Sequence, residues 1–471
     1  MLLRKKAATL ADRVIEAANH GVPLTLTDHR PTYAHSGNTI AASVVHDAVT
    51  GEKKSLHRRG LQLAGFYIDG DVDLSFLSWQ GQLSLVNCYI NGSVILDYAR
   101  PVGEIRLDGS MVRRVSARSA TIDGNFFLRD GFHADEGIYA IGLTVKNSIS
   151  MRHARIVAPR EPATRMAVEI FRGRFGDVFL HHATFEGGIY AAGITVERNI
   201  RLQASRLTSR TEMGWPHNGA EFKGAVTLAG SEVKGSIYLS TASTRNQLIA
   251  NDAISLSATN CNQVFLDAEL LTACAFHIDG FRYSRLRGIE GAQLLQWLNS
   301  HKTVQRNAYT QLAEHCRNVG DLSCQRKVLL SLERKITQNL PRWSPTRLMR
   351  SLHDGLIGYG YLASKAIPWL LMTVALASVV IHSGRQFVYY RPRNAGGTLS
   401  QTRPNWHDSF AITIDNFLPF ASLGVKESWV VILDTLQQWP WFLVFLLLKF
   451  AAWALAALAL VSFTSAVRKV S

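Results

Sequence analysis

The sequence predicts a right-handed parallel β-helix, a cytoplasmic solenoid, followed by a helical connector and two transmembrane helices. Three observations predict it. An internal period of about eleven residues runs from Leu61 to about Gly280, a Pro-free stretch with helical spacing follows Gly288, and two apolar runs lie near the C-terminus. At 471 residues the chain has room for two or three domains.

The N-terminal segment, residues 1–60, reads as helical and capping. Its first residues, MLLRKKAATLADRVIEAAN, are basic but lack an apolar core, and Asp12 and Glu16 interrupt them, so they form an amphipathic helix and not a signal peptide.

The repeat domain spans 61–288. One phrase returns as YIDGDVDLS at Tyr67, YINGSVILD at Tyr89, TIDGNFFLR at Thr121, TFEGGIYAA at Thr184, EFKGAVTLA at Glu221 and EVKGSIYLS at Glu232. Gly70, Gly81, Gly92 and Gly103 are evenly spaced, and two steps make a rung of about 22 residues. Each step carries a short strand whose apolar residues point inward (Val72, Leu74; Val94, Leu96; Val226, Leu228), with Gly or Asn at a left-handed corner. Single rungs cannot bury their apolar face, so they stack and pair as parallel sheets. The leucine-rich phrase L-x-x-L-x-L-x-x-N is missing, and the period is not five. Ala158–Val168, Thr208–Gly219 and Thr241–Asp252 break the register and read as loops on one face, either binding loops or tolerated surface insertions.

The connector, 289–350, has apolar residues at helical spacing (Leu294, Leu295, Leu298; Tyr309, Leu312, Cys316; Val328, Leu329, Leu332). Asn318-Val-Gly320-Asp321 marks a stop and a new start, which gives a hairpin or short bundle capping the solenoid.

The membrane domain, 351–471, holds spans at about 366–388 and 439–467. Phe387, Tyr389 and Tyr390 supply an aromatic belt. Basic residues precede the first span (Arg334, Lys335, Arg342, Arg347, Arg350, Lys365) and follow the second (Arg468, Lys469), so both termini are expected in the cytoplasm. The implied location is a bacterial inner membrane. Between the spans, 408–424 (DSFAITIDNFLPFASLG) is apolar but too short to cross. It reads either as a re-entrant pore segment or as a helix resting on the outer surface. Asp415, Asn416, Pro419 and Ser422 lie on it, and Lys449 lies inside the second span, facing a polar cavity or snorkelling outward.

The charge surplus is large: 51 Lys+Arg against 36 Asp+Glu, a net +15 and a pI near 9.7. It favours phosphate-rich partners, nucleic acid or anionic lipid, although part of it can serve membrane orientation alone. Arg113, Arg114, Arg118, Arg129, Arg152 and Arg155 interleave with Phe and Tyr on the solenoid and suit a phosphate-tracking groove for an oligonucleotide or nucleotide, or are scattered solvated charges. No nucleotide-binding glycine motif, P-loop, H-E-x-x-H or G-x-S-x-G occurs. The expectation is therefore a non-enzyme with neither cofactor nor metal. His181-His182, placed on a strand, would point to opposite faces, and His315, Cys316 and Cys324 lack a fourth ligand. Five scattered cysteines suit a reducing compartment.

The phrases GLQLAGFYIDGDVDLS, LVNCYINGSVILDYA, YTQLAEHCRNVGDLSCQRKVLLSLERK, GLIGYGYL and FLPFASLG together resemble a group of bacterial proteins. That group joins pentapeptide-like β-helix repeats to a two-helix membrane domain and is often labelled "membrane-associated oxidoreductase". The resemblance covers the chain beyond about residue 50 and is most specific in about the last 170 residues. In architecture alone the chain is similar to two-span channel effectors of bacterial antiphage systems such as Hailong, and this likeness implies a channel held or gated by an oligonucleotide. The expected protein is a homo-oligomeric, tetrameric channel in the lipid bilayer, gated by its β-helix. The alternative is a membrane-anchored scaffold that binds a cytoplasmic protein partner.

Overall fold

In the computed structural model Leu61 pairs with Leu83, and Leu83 with Ile105, in one parallel sheet, so a rung takes 22 residues. The structure describes residues 9–51, 56–159, 166–202, 206–208, 226–239, 254–273, 275–301, 304–362, 365–384, 388–390, 403–417, 424–425, 428–431 and 439–468. The chain divides into two units, Met1–Gln325 and Arg326–Ser471.

The first unit is a solenoid of stacked parallel strands. Its first sheet runs from Leu24–Thr25 through Leu61–Ala64 to Arg282–Arg287, its second from Thr39–Ala41 to Arg206–Thr208, and its third from Val72–Asp73 to Phe276–His277. A short fourth side pairs Ser78–Gln80 with Arg100–Val102. Strand alternation drives the stacking: Leu61, Leu63, Leu83, Leu85, Ile90, Val94, Leu96 and Ile105 are all buried, while Gln62 and Ser84 between them are not. Shortening one of these leucines to Ala opens a cavity and costs about 2–5 kcal/mol.

The regular glycines serve two purposes. Gly70 and Gly81 adopt left-handed backbone, at φ 99° and 91°. Gly92 and Gly103 do not, but a Cβ on either would collide with the carbonyl of Gly70 or Gly81 in the neighbouring rung. Among the described left-handed corners after the third sheet, four are glycines (Gly142, Gly193, Gly230, Gly280) and five hold side chains: Phe76 (φ 60°), Tyr98 (φ 60°), Ser119 (φ 53°), Arg172 (φ 57°) and Ala258 (φ 54°). The rings of Phe76 and Tyr98 stack there at 4.9 Å.

Both ends of the solenoid are covered. Helix α1 (Leu10–His20) starts at Thr9, whose hydroxyl accepts from the Asp12 N–H while Asp12 accepts from the Thr9 N–H. Helix α2 (Ala42–Thr50) packs against the strand Val72–Asp73, and Val14, Ala18, Val45 and Val49 are buried. At the far end come α3 (Ala268–Ala273), α4 (Gly291–Ser300) and α5 (Arg306–Asn318). Gln311 donates to the Tyr283 carbonyl at 2.6 Å, and the Trp297 indole donates to the Leu271 carbonyl at 3.0 Å. Tyr309, Leu312, Leu294 and Leu298 are buried, so these helices close the strand edges that a solenoid otherwise leaves open.

The rung length is interrupted three times. First-sheet partners are 22 residues apart at Val178 and Ile200, but further apart from Ile149 to Val178, from Ile200 to Ile237 and from Ile237 to Val264. The extra residues fall between Val157 and Met166, between Thr208 and Val226, and between Leu239 and Ile254. The first two interruptions lie between a second-sheet and a third-sheet strand, and the third lies between the first-sheet strand ending at Leu239 and the third-sheet strand beginning at Ile254. They coincide with the three sequence insertions, most of whose residues lie outside the described ones.

The second unit is helical. Helix α6 (Leu322–Gln338) straddles the boundary, so the expected connector, 289–350, is divided between two units and comprises α4, α5, α6 and the start of a further helix. Then come α7 (Pro345–Ile357), a tight turn at Gly358–Gly360 with Tyr359 left-handed at φ 53°, α8 (Ala366–Ser383), α9 (Trp406–Phe417) and α10 (Trp439–Arg468). Helices α8 and α10 are long and apolar enough to cross a membrane. Helix α8 ends at Ser383, short of the expected residue 388, because Gly384 caps it and Val388–Tyr390 turns into a strand paired antiparallel with Trp429–Val431. Tyr389 and Tyr390 therefore belong to that strand pair, and Phe387 lies outside the described residues.

Candidate functional site

The segment between the two apolar helices packs among them. Helix α9 is 12 residues long, about 18 Å at the usual rise. Its first residue, Trp406, stacks on His382 at the end of α8 at 3.9 Å. The start of α10 lies at the same end of α8, where the Trp441 indole donates to the Val380 carbonyl at 2.7 Å. From there α9 runs alongside both helices. The Ser378 hydroxyl donates to Thr413 at 3.1 Å, Phe417 meets Phe445 edge-on at 5.2 Å, and the Trp453 indole donates to the Asn416 carbonyl at 3.3 Å. The interval from Trp441 to Trp453 is a little under half of α10, so α9 ends near the middle of the pair.

Its packing is that of an inserted element. Ser409, Ile412, Thr413, Asp415 and Phe417 are all buried. Ile412 and Phe417 share an apolar cluster with Ala377, Ile381, Phe445 and Ala452. Small residues at Ala377 and Ala452 let the helices approach closely. Thr413 donates its hydroxyl to the Ser409 carbonyl one turn back at 2.7 Å, so its oxygen can accept from Ser378, whose single hydroxyl hydrogen also has the Val374 carbonyl within reach at 2.9 Å.

The predicted residues fall around the end of α9. Asp415 is 7% exposed, and the Asn416 side chain donates to the Ile412 carbonyl at 3.0 Å. Lys449 is half-buried on α10, with its Nζ 5.4 Å from the centre of the Trp453 ring, the same ring whose N–H holds Asn416. Asn416, Trp453 and Lys449 are thus neighbours, a grouping that sequence spacing does not reveal. Pro419 and Ser422 lie outside the described residues.

In the first unit each predicted arginine meets an acid in the same or a neighbouring rung. Arg114 and Arg113 approach Glu136 at 3.0 and 3.9 Å, and Arg113 reaches Asp71 at 3.6 Å. Arg118 pairs with Asp97 at 2.7 Å, Arg129 with Asp108 at 2.8 Å, Arg152 with Asp130 at 3.2 Å and Arg155 with Glu186 at 2.6 Å. They do not share one face. Arg113 and Arg114 follow a second-sheet strand, Arg118 follows a third-sheet strand, Arg129 and Arg152 follow first-sheet strands, and Arg155 lies on a second-sheet strand. Burial pushes the Asp97 carboxyl up, but hydrogen bonds from Ser116 and Arg118 outweigh it and hold the group below the usual carboxylate range.

A different column emerges on the outside of the first sheet. Arg106, Phe127, Ser150, Phe179, Arg201, Tyr238, Phe265 and Arg287 stand in register, one per rung. The Arg201 guanidinium lies 5.5 Å from the Phe179 ring centre and 5.1 Å from that of Tyr238, which stacks on Phe265 at 4.3 Å. Arg129 covers Phe127 at 3.7 Å. The signal was in the sequence, at one rung's spacing, but the three insertions hide it.

Two sequence readings are corrected. His181-His182 is not on a strand: it forms the corner after Arg174–Phe179, with His182 left-handed at φ 57°, which brings the two rings to 5.5 Å. Burial and the neighbouring His182, Arg152, Arg201 and His153 push His181 down to about 4. Cys316 and Cys324 are not separate thiols but form a disulfide, Cα atoms 5.8 Å apart, because the left-handed Gly320 (φ 86°) folds the start of α6 back along α5. Cys88 and Cys261 are buried free thiols.

Fold and site together define a parallel β-helix-like solenoid joined to a helical unit with two potential membrane spans and a shorter helix packed between them. Comparison with family models, curated proteins and solved structures finds no match for this chain.

Proposed function

We propose that the chain is one subunit of a homo-oligomeric ion channel, a tetramer, in a bacterial inner membrane. Both termini and a right-handed β-helix lie in the cytoplasm, and the solenoid acts as a sensor that gates the pore without catalysing a reaction. The observation that supports this reading is α9, a 12-residue helix that packs one face against α8 and α10 and whose last turn lies beside Trp453 and Lys449. In a bilayer, backbone that stops partway is tolerated where it lines a cavity or is buried in protein, and two spans enclose a conduit only as an oligomer. The column of arginines and rings from Arg106 to Arg287 offers stacking surfaces and charge for an oligonucleotide.

Purified protein in planar bilayers tests the proposal, with subunits counted by native mass spectrometry. Unitary currents from a multimer, altered by a short single-stranded oligonucleotide, are expected. A monomer that passes no current with or without the oligonucleotide would replace the channel with a membrane-anchored scaffold. Reporters fused before Met1 and after Ser471 test orientation, and both are expected to report the cytoplasm.

A further inference from the structure

Helix α7 is amphipathic in an inverted sense. Its inner face carries charge: Asp354 binds Arg334 of α6 at 2.9 Å, Arg350 binds Glu333 of α6 at 3.1 Å, and Arg347 donates to the Leu340 carbonyl at 3.0 Å. Its outer face carries Leu348, Met349 and Leu352, exposed by 65%, 70% and 53%, at the i, i+1, i+4 spacing of one helical stripe. Just before it, Trp343 is 97% exposed. A helix packed on a soluble core turns the other way, apolar side in.

This stripe is continuous with the exposed surface of a potential span. The Trp369 indole in the first turn of α8 donates to the Gly355 carbonyl of α7 at 3.2 Å, and Ile367, Leu371 and Met372 beside it are exposed. Arg342 and Lys365 flank the helix on either side, where they suit phosphate headgroups. We infer that α7 lies in the boundary between headgroups and acyl chains of a phospholipid bilayer, its Leu348–Met349–Leu352 stripe down and its ion pairs to α6 up. Tryptophan favours that boundary, and a helix so placed buries only a shallow strip of apolar surface. The inference rests on the membrane reading of α8 and α10, but not on a pore.

The test uses full-length protein in vesicles with a bimane label on Leu352→Cys or, in the middle of α8, on Leu376→Cys, and the protein without an added cysteine as the labelling control. Lipids brominated near the headgroup should quench the Leu352 label about twofold more than lipids brominated near the chain end, and the Leu376 label should show the reverse order. A quenched Leu376 label beside an unquenched Leu352 label means that protein covers the stripe, which overturns the inference while leaving the spans in place. Deeper quenching at Leu352 than at Leu376 overturns it by making α7 part of a span. No quenching at either position overturns both this inference and the membrane reading.

Discussion

Trp453 donates its indole N–H to the main-chain oxygen of Asn416 at 3.3 Å, so the last turn of α9 is tied to a point well along α10. The final carbonyls of a helix have no partner within it, and leaving one unpaired in apolar surroundings is costly. Trp453→Phe keeps a ring and removes the donor. It is expected to destabilise the detergent-solubilised protein by about 1–3 kcal/mol, seen as a lower thermal midpoint, with a matching change in unitary current. An unchanged midpoint would mean that the end of α9 is held by packing alone.

Lys449, over the same indole, is expected to set the charge selectivity of the proposed channel. Lys449→Glu should move the reversal potential toward cations in an asymmetric salt gradient, while Lys449→Arg should leave it in place. Asp415→Asn, at the buried end of α9, should change conductance more than selectivity. Identical reversal potentials for the native protein and the Lys449→Glu variant would remove α10 from the proposed lining.

Asp97 clamps two rungs: it accepts from Ser116 Oγ at 2.6 Å, from the Arg118 N–H at 2.9 Å and from Arg118 Nε at 2.9 Å. Its removal leaves half-buried donors unpaired, whereas the Arg118 side chain is 59% exposed and can rehydrate. Asp97→Ala is expected to cost about 1–3 kcal/mol, and Arg118→Ala less than about 1 kcal/mol. Denaturant unfolding of the full chain checks the order of the two.

The rung was legible because its cause is local: apolar alternation and glycine at a fixed step. What glycine does there was only half legible. Left-handed backbone at Gly70 and Gly81 follows from residue preference, but Gly92 is small because another rung's carbonyl lies against it, a fact about stacking. Likewise Phe76 and Tyr98 occupy left-handed corners that residue preference assigns to glycine or asparagine, and ring stacking holds them there. The two long apolar helices and the short segment between them could be read from length and hydropathy. Its partners could not, since the Asn416–Trp453 bond joins residues 37 positions apart. The arginines drew attention as a net charge, and their acids in neighbouring rungs became visible only with the register.

His181 offers a pH test. Its ordinary value of 6.5 is pushed down to about 4 in the folded chain, first by burial and then by its cationic neighbours. Between those values the unfolded chain binds the extra proton and the folded one does not, so stability is lost as pH falls from about 6.5 toward about 4. Replacing the ring with His181→Gln should flatten that part of the melting-temperature curve. A variant curve parallel to that of the native protein would place the acid sensitivity elsewhere.

After each of the three interruptions of the solenoid the next described strand belongs to the third sheet, beginning at Met166, Val226 or Ile254. Each time, whatever length has been added, the chain rejoins its sheet in the same alignment: Ile138 faces Val168, Ile189 faces Val226, and Val226 faces Ile254. That edge works as an expansion joint, where length can be taken up without propagating a shift along the stack. It is therefore the natural place to splice a fluorescent reporter or an affinity tag: a cassette between Pro159 and Met166 should leave every strand before and after it in its present pairing.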